Sequence, residues 1–100
     1  MPSKTDPISF TREMGISHAE FRRTLPRALE HQTYEILDDH IIVTDSLGTL
    51  EIRLSPEHGR KLGALTLPVT NVQFTFKGYS SSEVTSFMQR FDLYFRRGGG

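Results

Sequence analysis

One stretch of the sequence, residues 70–97, constrains the fold more than any other. Its first part alternates Val72, Phe74 and Phe76 with polar side chains, the period-two pattern of a strand with one buried face. Gly78 interrupts this pattern, and an apolar stripe with helical spacing follows it. The stretch therefore predicts a strand, a tight turn and a helix that folds back over the strand.

The same helix-start signal occurs twice in the chain. Ser80 and Glu83 have the S-x-x-E spacing of a capping box, and Ser17 and Glu20 repeat this spacing near the N-terminus. The first helix contains Pro26, and we expect a kink there because the apolar spacing continues through the proline. The sequence thus predicts two helices, each with one apolar face.

Three short segments between the helices alternate apolar and polar residues, as strands do. They are residues 33–37, 40–44 and 49–54. Turn-forming residues separate them, because aspartate and glycine tolerate the backbone conformations that tight turns require. We predict a three-stranded meander with one solvated face, in which Tyr34 and Ile36 belong to the buried rows.

The segment from residue 55 to residue 69 has the least regular pattern. It is long for a connection inside so small a domain, and it contains both glycines and charged residues. Its second half is apolar, with Leu62, Leu65 and Leu67. We expect it to pack as a lid or to add a short strand.

Together these elements predict an α+β fold in a single domain. The expected architecture is a two-layer sandwich, an antiparallel sheet of four to five strands with two helices on one face, in the order α-β-β-β-(β)-β-α. We expect residues 1–14 to form a flexible N-terminal arm, residues 15–97 the domain, and residues 98–100 a flexible tail. Ile8 and Phe10 offer a way to attach the arm as a short edge strand.

Composition excludes several classes of function. The chain has no cysteine, so disulfides, thiolate catalysis and zinc–thiolate sites are ruled out. Twelve Lys and Arg balance twelve Asp and Glu, whereas nucleic-acid-binding proteins usually show a basic excess. No apolar run approaches the ~18–20 residues of a membrane span, and no signal-peptide pattern follows Met1. We expect a cytoplasmic protein that does not contact a membrane.

The sequence contains no motif of a characterised family and no recognisable catalytic constellation. Its histidines are His18, His31, His40 and His58. No two of them have the i, i+4 or H-x-H spacing that places two imidazoles on one metal. The glycine-rich nucleotide-binding motifs and the nucleophilic serine motifs are also missing. We expect no cofactor, no metal site and no catalytic residue, and we favour a role other than that of an enzyme.

Basic side chains come closest to a functional cluster. On the first helix, in the 55–69 segment and on the last helix, they are Arg22, Arg23, Arg27, His58, Arg60, Lys61, Arg90, Arg96 and Arg97. Helices that lie side by side would bring some of them into one patch able to bind phosphate or an acidic partner. We therefore predict an anion- or partner-binding surface among these residues.

Three functions remain open at this point. The favoured one is a small non-catalytic binding or accessory domain that acts through protein–protein contacts, with an unidentified protein or a second copy as its partner. The alternative is binding of RNA or another polyanion through the arginines, with affinity that falls as salt rises. The least favoured is a small enzyme in which His58 or His40 is the acid/base and Arg60 holds an anion.

Overall fold

A computed structural model describes residues 6–99, with the backbone alone for residues 97–99. The elements are, in chain order, β1 (Ile8–Met14), α1 (His18–Leu29), β2 (Thr33–Ile36), β3 (His40–Thr44), β4 (Thr49–Leu54), β5 (His58–Leu62), β6 (Leu65–Lys77) and α2 (Ser81–Gly99). The predicted α+β class is confirmed, with an antiparallel sheet and two helices.

The sheet has six strands in the described part of the chain. Five follow one another in the order β1-β6-β4-β3-β2, and β5 pairs with the N-terminal part of β6. The predicted meander is present as β2, β3 and β4, and all the pairings are antiparallel. β1 and β2 are the two edges of the sheet, and α1 connects them across one face.

A single apolar core lies between the two helices and this face of the sheet. Phe74 of β6 meets Phe91 of α2 edge to face, with ring centroids 5.1 Å apart. The ring centroids of Phe21 in α1 and Phe95 in α2 are 5.0 Å apart, so the two helices pack against each other on the same face of the sheet. All four rings are buried. Burial of each contributes roughly 1.5–3 kcal/mol relative to an exposed ring.

Capping hydrogen bonds are present at the start of both helices. The Ser80 hydroxyl accepts a hydrogen bond from the Glu83 N–H at 3.3 Å, and the Glu83 carboxylate accepts one from the Ser80 N–H at 2.8 Å. The Ser17 hydroxyl accepts from the Glu20 N–H at 3.1 Å. Each cap contributes about 1 kcal/mol to helix stability. α1 continues through Pro26 as one helix.

Part of the N-terminal region attaches to the sheet as an edge strand, as Ile8 and Phe10 suggest. Ile8–Met14, expected to belong to a flexible arm, form β1, which pairs with the C-terminal part of β6. Phe10 stacks on Phe74 with ring centroids 5.4 Å apart. The Ser9 and Thr75 hydroxyls share a hydrogen bond at 3.1 Å although they are 66 positions apart in the chain. A partner so distant leaves no local signal in the sequence.

The C-terminal helix extends into the predicted tail. Residues 1–5 of the predicted arm and Gly100 of the predicted tail lie outside the described residues. Gly98 and Gly99, which the sequence assigns to a flexible tail, instead continue α2. The second helix is therefore longer than the apolar stripe alone predicts.

The edge strand β2 is not buried as its alternation predicts. Tyr34 and Ile36 lie on the helix side of the sheet, but they are 38% and 43% exposed. Their cross-strand neighbours in β3, Val43 and Ile41, are fully buried. β2 has a strand neighbour on one side only, so its apolar side chains are half open to solvent.

Candidate functional site

β5 and the first residues of β6 form a two-stranded ribbon that extends from the sheet. We call residues 56–68 the β5–β6 hairpin. Residues 56–67 are all exposed, and the described chain is elongated, 53 Å in length and 25 Å in its other two dimensions. In the described chain β5 pairs with β6 and with no other strand. Both edges of the ribbon therefore face solvent.

A β-bulge marks the base of this hairpin. Leu54 of β4 lies opposite Val72, whereas His58 of β5 lies opposite Val69. Three residues on the β4–β5 side thus span the same distance as two residues on β6. Such a bulge bends a ribbon and increases its twist, and it lies where the neighbour of β6 changes from β4 to β5.

Specific hydrogen bonds hold the base of the hairpin in place. The Ser55 N–H donates to the Asn71 carbonyl, and the Ser55 hydroxyl accepts from the Asn71 N–H, both at 2.9 Å. The Glu57 carboxylate accepts from the His18 N–H at 2.9 Å, at the start of α1. The His18 ring Nε2 donates to the Ser55 carbonyl at 2.6 Å. The hairpin is therefore fastened to the first helix as well as to the sheet.

A strip of leucines runs along one face of the hairpin. Leu62, Leu65 and Leu67 are 54%, 64% and 42% exposed. Leu62 pairs with Leu65 next to the turn, and Arg60 pairs with Leu67. Because directly opposed residues share a face of the ribbon, the three leucines and Arg60 lie on one side. Gly63, with φ of +62°, provides the left-handed turn residue at the tip.

The hairpin also carries three of the predicted basic residues. Arg60 donates to the Glu13 carboxylate of β1 at 2.7 Å, an ion pair across the base of the ribbon. Lys61 is exposed and has no ion-pair partner among the described residues, and His58 is exposed as well. The hairpin thus combines an apolar strip with positive charge.

A second exposed apolar surface lies along β2 and the turn after it. We call residues 33–39 the β2 edge. Leu37 is 39% exposed, in addition to the exposed Tyr34 and Ile36. Tyr34 and Ile36, which the sequence assigns to the buried rows, are therefore apolar side chains at the sheet periphery, as the hairpin leucines are.

The charge of the β2 edge is negative. Its carboxylates belong to Glu35, Asp38 and Asp39. The hydrogen bond from the His40 ring, 3.0 Å in length, lowers the pKa of Asp39. The Glu35 and Asp38 carboxylates are exposed and have no ion pair with the described residues. This charge is opposite to that of the hairpin.

Arg90, one of the residues predicted to bind an anion or a partner, takes part in a polar network within the chain. Its guanidinium donates to the Gln32 side-chain carbonyl at 2.7 Å and to the Ala28 carbonyl at 2.9 Å. Gln32 in turn donates to the Asp45 carboxylate at 2.7 Å, and the Tyr79 hydroxyl donates to the same carboxylate at 2.9 Å. The network joins the end of α1, the β3–β4 turn and α2.

The electrostatics of this network suit a structural role. Burial alone would raise the pKa of Asp45, but hydrogen bonds from Tyr79 and from the N–H groups of Leu47 and Gly48 hold that pKa below its usual value. Burial, and secondly the hydrogen bond to Asp45, raises the pKa of Tyr79. Both shifts move the pKa values of these groups further from neutral pH. Neither is therefore suited to exchange protons in catalysis there.

The arginines of α1 are only partly free. Arg22 donates to the backbone carbonyl of Asp38 at 2.5 Å, and Arg23 lies 3.8 Å from the Glu20 carboxylate. Arg27 is exposed near the end of the helix. These side chains contact different parts of the chain, so a joint anion-binding surface on α1 remains a prediction.

The arginines at the end of α2 lie elsewhere. Arg96 is exposed and lines a cleft of about 310 Å³ together with Arg12 and Asp92, which form an ion pair between β1 and α2. The side chain of Arg97 is outside the described part of the chain. The predicted basic residues are thus distributed over the hairpin, the two helices and the polar network.

The described residues contain no group of three or more His, Cys, Asp or Glu side chains that could hold a metal ion. No helix in the described part of the chain is long and apolar enough to cross a membrane. Comparison with protein families, with curated proteins and with solved structures found no match.

Proposed function

We propose that this protein is a small non-catalytic binding domain that acts through protein–protein contacts, with the β5–β6 hairpin as its contact surface. The observation that carries the proposal is the exposed strip of Leu62, Leu65 and Leu67. Burial of such a side chain is favourable by roughly 1.5–3 kcal/mol. Exposed apolar strips beside charged residues are typical of surfaces that bind another protein.

The way in which the hairpin is held supports the same proposal. An isolated two-stranded hairpin is marginally stable in water, but this one is fastened at its base by Glu57 to α1 and by Arg60 to β1. A contact surface that is ordered before binding loses less conformational entropy when the partner arrives. The fastening therefore favours a recognition element over a mobile connection.

The alternatives receive less support from the described contacts. Arg22, Arg60 and Arg90 each contact groups of their own chain, which leaves fewer cations free for RNA or another polyanion. For an enzyme, His58 and Arg60 are exposed side chains on the hairpin, whereas catalytic sites are usually concave and shielded from water. We therefore advance protein binding alone.

Site-specific photo-crosslinking in the native cells tests the proposal. A photoreactive benzoylphenylalanine replaces Leu65 on the hairpin or, as the matched control, Leu93 on α2. The two leucines are 64% and 53% exposed, so their general accessibility is similar. We expect irradiation to yield a discrete protein adduct from position 65 and a much weaker one from position 93.

Two results would overturn the proposal. One is the absence of any protein adduct from position 65, although the substituted protein is folded and present. The other is an equal yield of the same adducts from both positions, which would indicate random collision. The mass of a specific adduct also separates a second copy of this chain from a different protein.

A further inference from the structure

We propose that the partner of the hairpin is a second copy of this chain: the β5–β6 hairpin of one protomer adds to the β2 edge of the next, head to tail. This inference rests on the proposed function, because it uses the same contact surface. It also specifies the receiving surface and the register of the contact. Its basis is the complementarity of two surfaces of one chain.

The backbone of the β2 edge is able to accept another strand. The Leu37 N–H donates to the His40 carbonyl at 2.8 Å. Hydrogen-bonded positions alternate along an antiparallel pair, so the N–H and carbonyl groups of Tyr34 and Ile36 point away from β3. An exposed edge with unpaired backbone groups is a template for strand addition. The outer edge of β5 offers the matching groups.

The apolar side chains of the two surfaces also correspond. Tyr34 and Ile36 lie on the same face of β2, and both are exposed. In β5, Leu62 and Arg60 lie on one face, next to the leucines of β6. A sheet that continued from β2 into the hairpin would bring the two apolar rows together and remove both from water.

Charge fixes the register. Glu35 lies between Tyr34 and Ile36, and Lys61 lies between Arg60 and Leu62. Side chains alternate between the faces of a strand. Lys61 can lie opposite Glu35 only if the strands run parallel, because its backbone groups then bond to the outward-facing groups of Tyr34 and Ile36. In that register the apolar rows meet on the other face. Oppositely charged residues in direct cross-strand pairs are stabilising.

The same charges disfavour symmetric pairings. If β5 paired with its own copy, the adjacent cations Arg60 and Lys61 would approach a second pair of cations. If β2 paired with its own copy, Glu35 would meet a second acidic edge. Like charges directly opposite each other are destabilising. The favoured contact is therefore heterologous, and such contacts build rings or open chains.

Two variants, each with one surface disabled, test this arrangement. The hairpin variant carries Lys61→Glu, Leu65→Thr and Leu67→Thr, which keep good strand-forming residues on the ribbon. The edge variant carries Ile36→Lys, because lysine on an edge strand blocks pairing. Leu93→Gln is the control, since Leu93 is another exposed leucine outside both surfaces. All variants change exposed side chains, so we expect each to remain folded.

Sedimentation velocity over a range of concentrations gives the readout. We expect the average mass of the unchanged protein and of the control to rise with concentration above that of the monomer. Each disabled variant should self-associate at least ~10-fold more weakly, which corresponds to about 1.4 kcal/mol. An equimolar mixture of the two variants should form 1:1 dimers, because one intact hairpin and one intact edge remain.

Three outcomes would overturn the inference. They are a monomeric unchanged protein at every concentration, normal assembly of the edge variant, and a mixture that stays monomeric. A charge exchange adds a finer test: Lys61→Glu and Glu35→Lys should each weaken assembly roughly two- to fivefold, and the combination should restore it. A position-65 adduct with a different protein, found with a monomeric unchanged chain, would leave the proposed function standing and remove this inference alone.

Discussion

The two halves of β6 are one continuous strand in very different surroundings. The C-terminal half lies between β1 and β4, and its Phe74 and Phe76 are fully buried under the helices. The N-terminal half pairs with β5 alone, and its Leu65 and Leu67 are exposed. Alternation of apolar residues is present in both halves. It indicates which side chains share a face, but not whether anything covers that face.

This difference indicates that the two halves of β6 have different roles, one in stability and the other in association. The sheet and helices provide stability, since the aromatic core is formed almost entirely by the C-terminal half of β6 and the elements around it. The hairpin contributes apolar side chains that the described residues leave exposed. We therefore expect changes in one half to act on stability and changes in the other to act on association.

The largest expected contrast is in amide hydrogen exchange along β6. Amides in residues 72–76 should exchange only through nearly global unfolding, whereas those in residues 65–68 should exchange through local opening. With a global stability of about 5 kcal/mol or more, the difference exceeds roughly 1,000-fold in rate. Measurement by mass spectrometry or NMR on dilute protein checks this. Equal protection of both halves would contradict the division described above.

A pair of truncations sharpens the comparison at the level of stability. Phe74→Ala should lower the free energy of unfolding by about 3–5 kcal/mol, because it removes a fully buried ring and leaves a cavity. Leu65→Ala in the hairpin should change it by less than ~0.5 kcal/mol. Urea denaturation of dilute samples measures both values. A large loss from Leu65→Ala would mean that the hairpin supports the fold of the monomer.

A change in the polar network should lower the free energy of unfolding by less than Phe74→Ala does, and by an amount that depends on pH. Asp45→Asn should destabilise the fold by about 1–3 kcal/mol, since it weakens several hydrogen bonds to a carboxylate. The folded-state pKa of Asp45 lies below its ordinary value of 3.8. Its ionised form therefore stabilises the fold above that pH, and this contribution is lost as the pH falls through the folded-state pKa.

The check is a set of urea titrations at decreasing pH. The stability difference between the unchanged protein and Asp45→Asn should be constant well above pH 3.8 and shrink below it. Asp38→Asn, at an exposed carboxylate of the β2 edge, is the control and should show a smaller difference. A gap between the unchanged protein and Asp45→Asn that widens towards acid pH would contradict the assigned hydrogen bonds.

Most of the fold follows from local signals in the sequence. The capping serines Ser17 and Ser80 mark both helices, and the alternation in residues 49–54 and 72–76 marks the central strands. These signals are local because caps and strand faces depend on neighbours a few positions away. The α+β class could therefore be predicted without any knowledge of distant contacts.

The candidate site could not be predicted in the same way. Leu65 and Leu67 are apolar, and a sequence pattern assigns apolar residues to the core of their own chain whether or not a surface is available there. The sequence gives no sign that the Arg90 guanidinium has a partner in the chain, because Gln32, to which it donates a hydrogen bond, is 58 positions away. Basic residues are visible in a sequence, whereas the contacts that occupy them are not.

The pairing of β1 with β6 has a consequence for synthesis of the chain. The Ser9–Thr75 contact spans 66 positions, and at ~5–20 residues per second the ribosome needs roughly 3 to 13 seconds to make that length. During this time Ile8 and Phe10 have emerged before the strand they pair with exists. The nascent chain thus exposes an unpaired strand early, and the sheet closes only when β6 is complete.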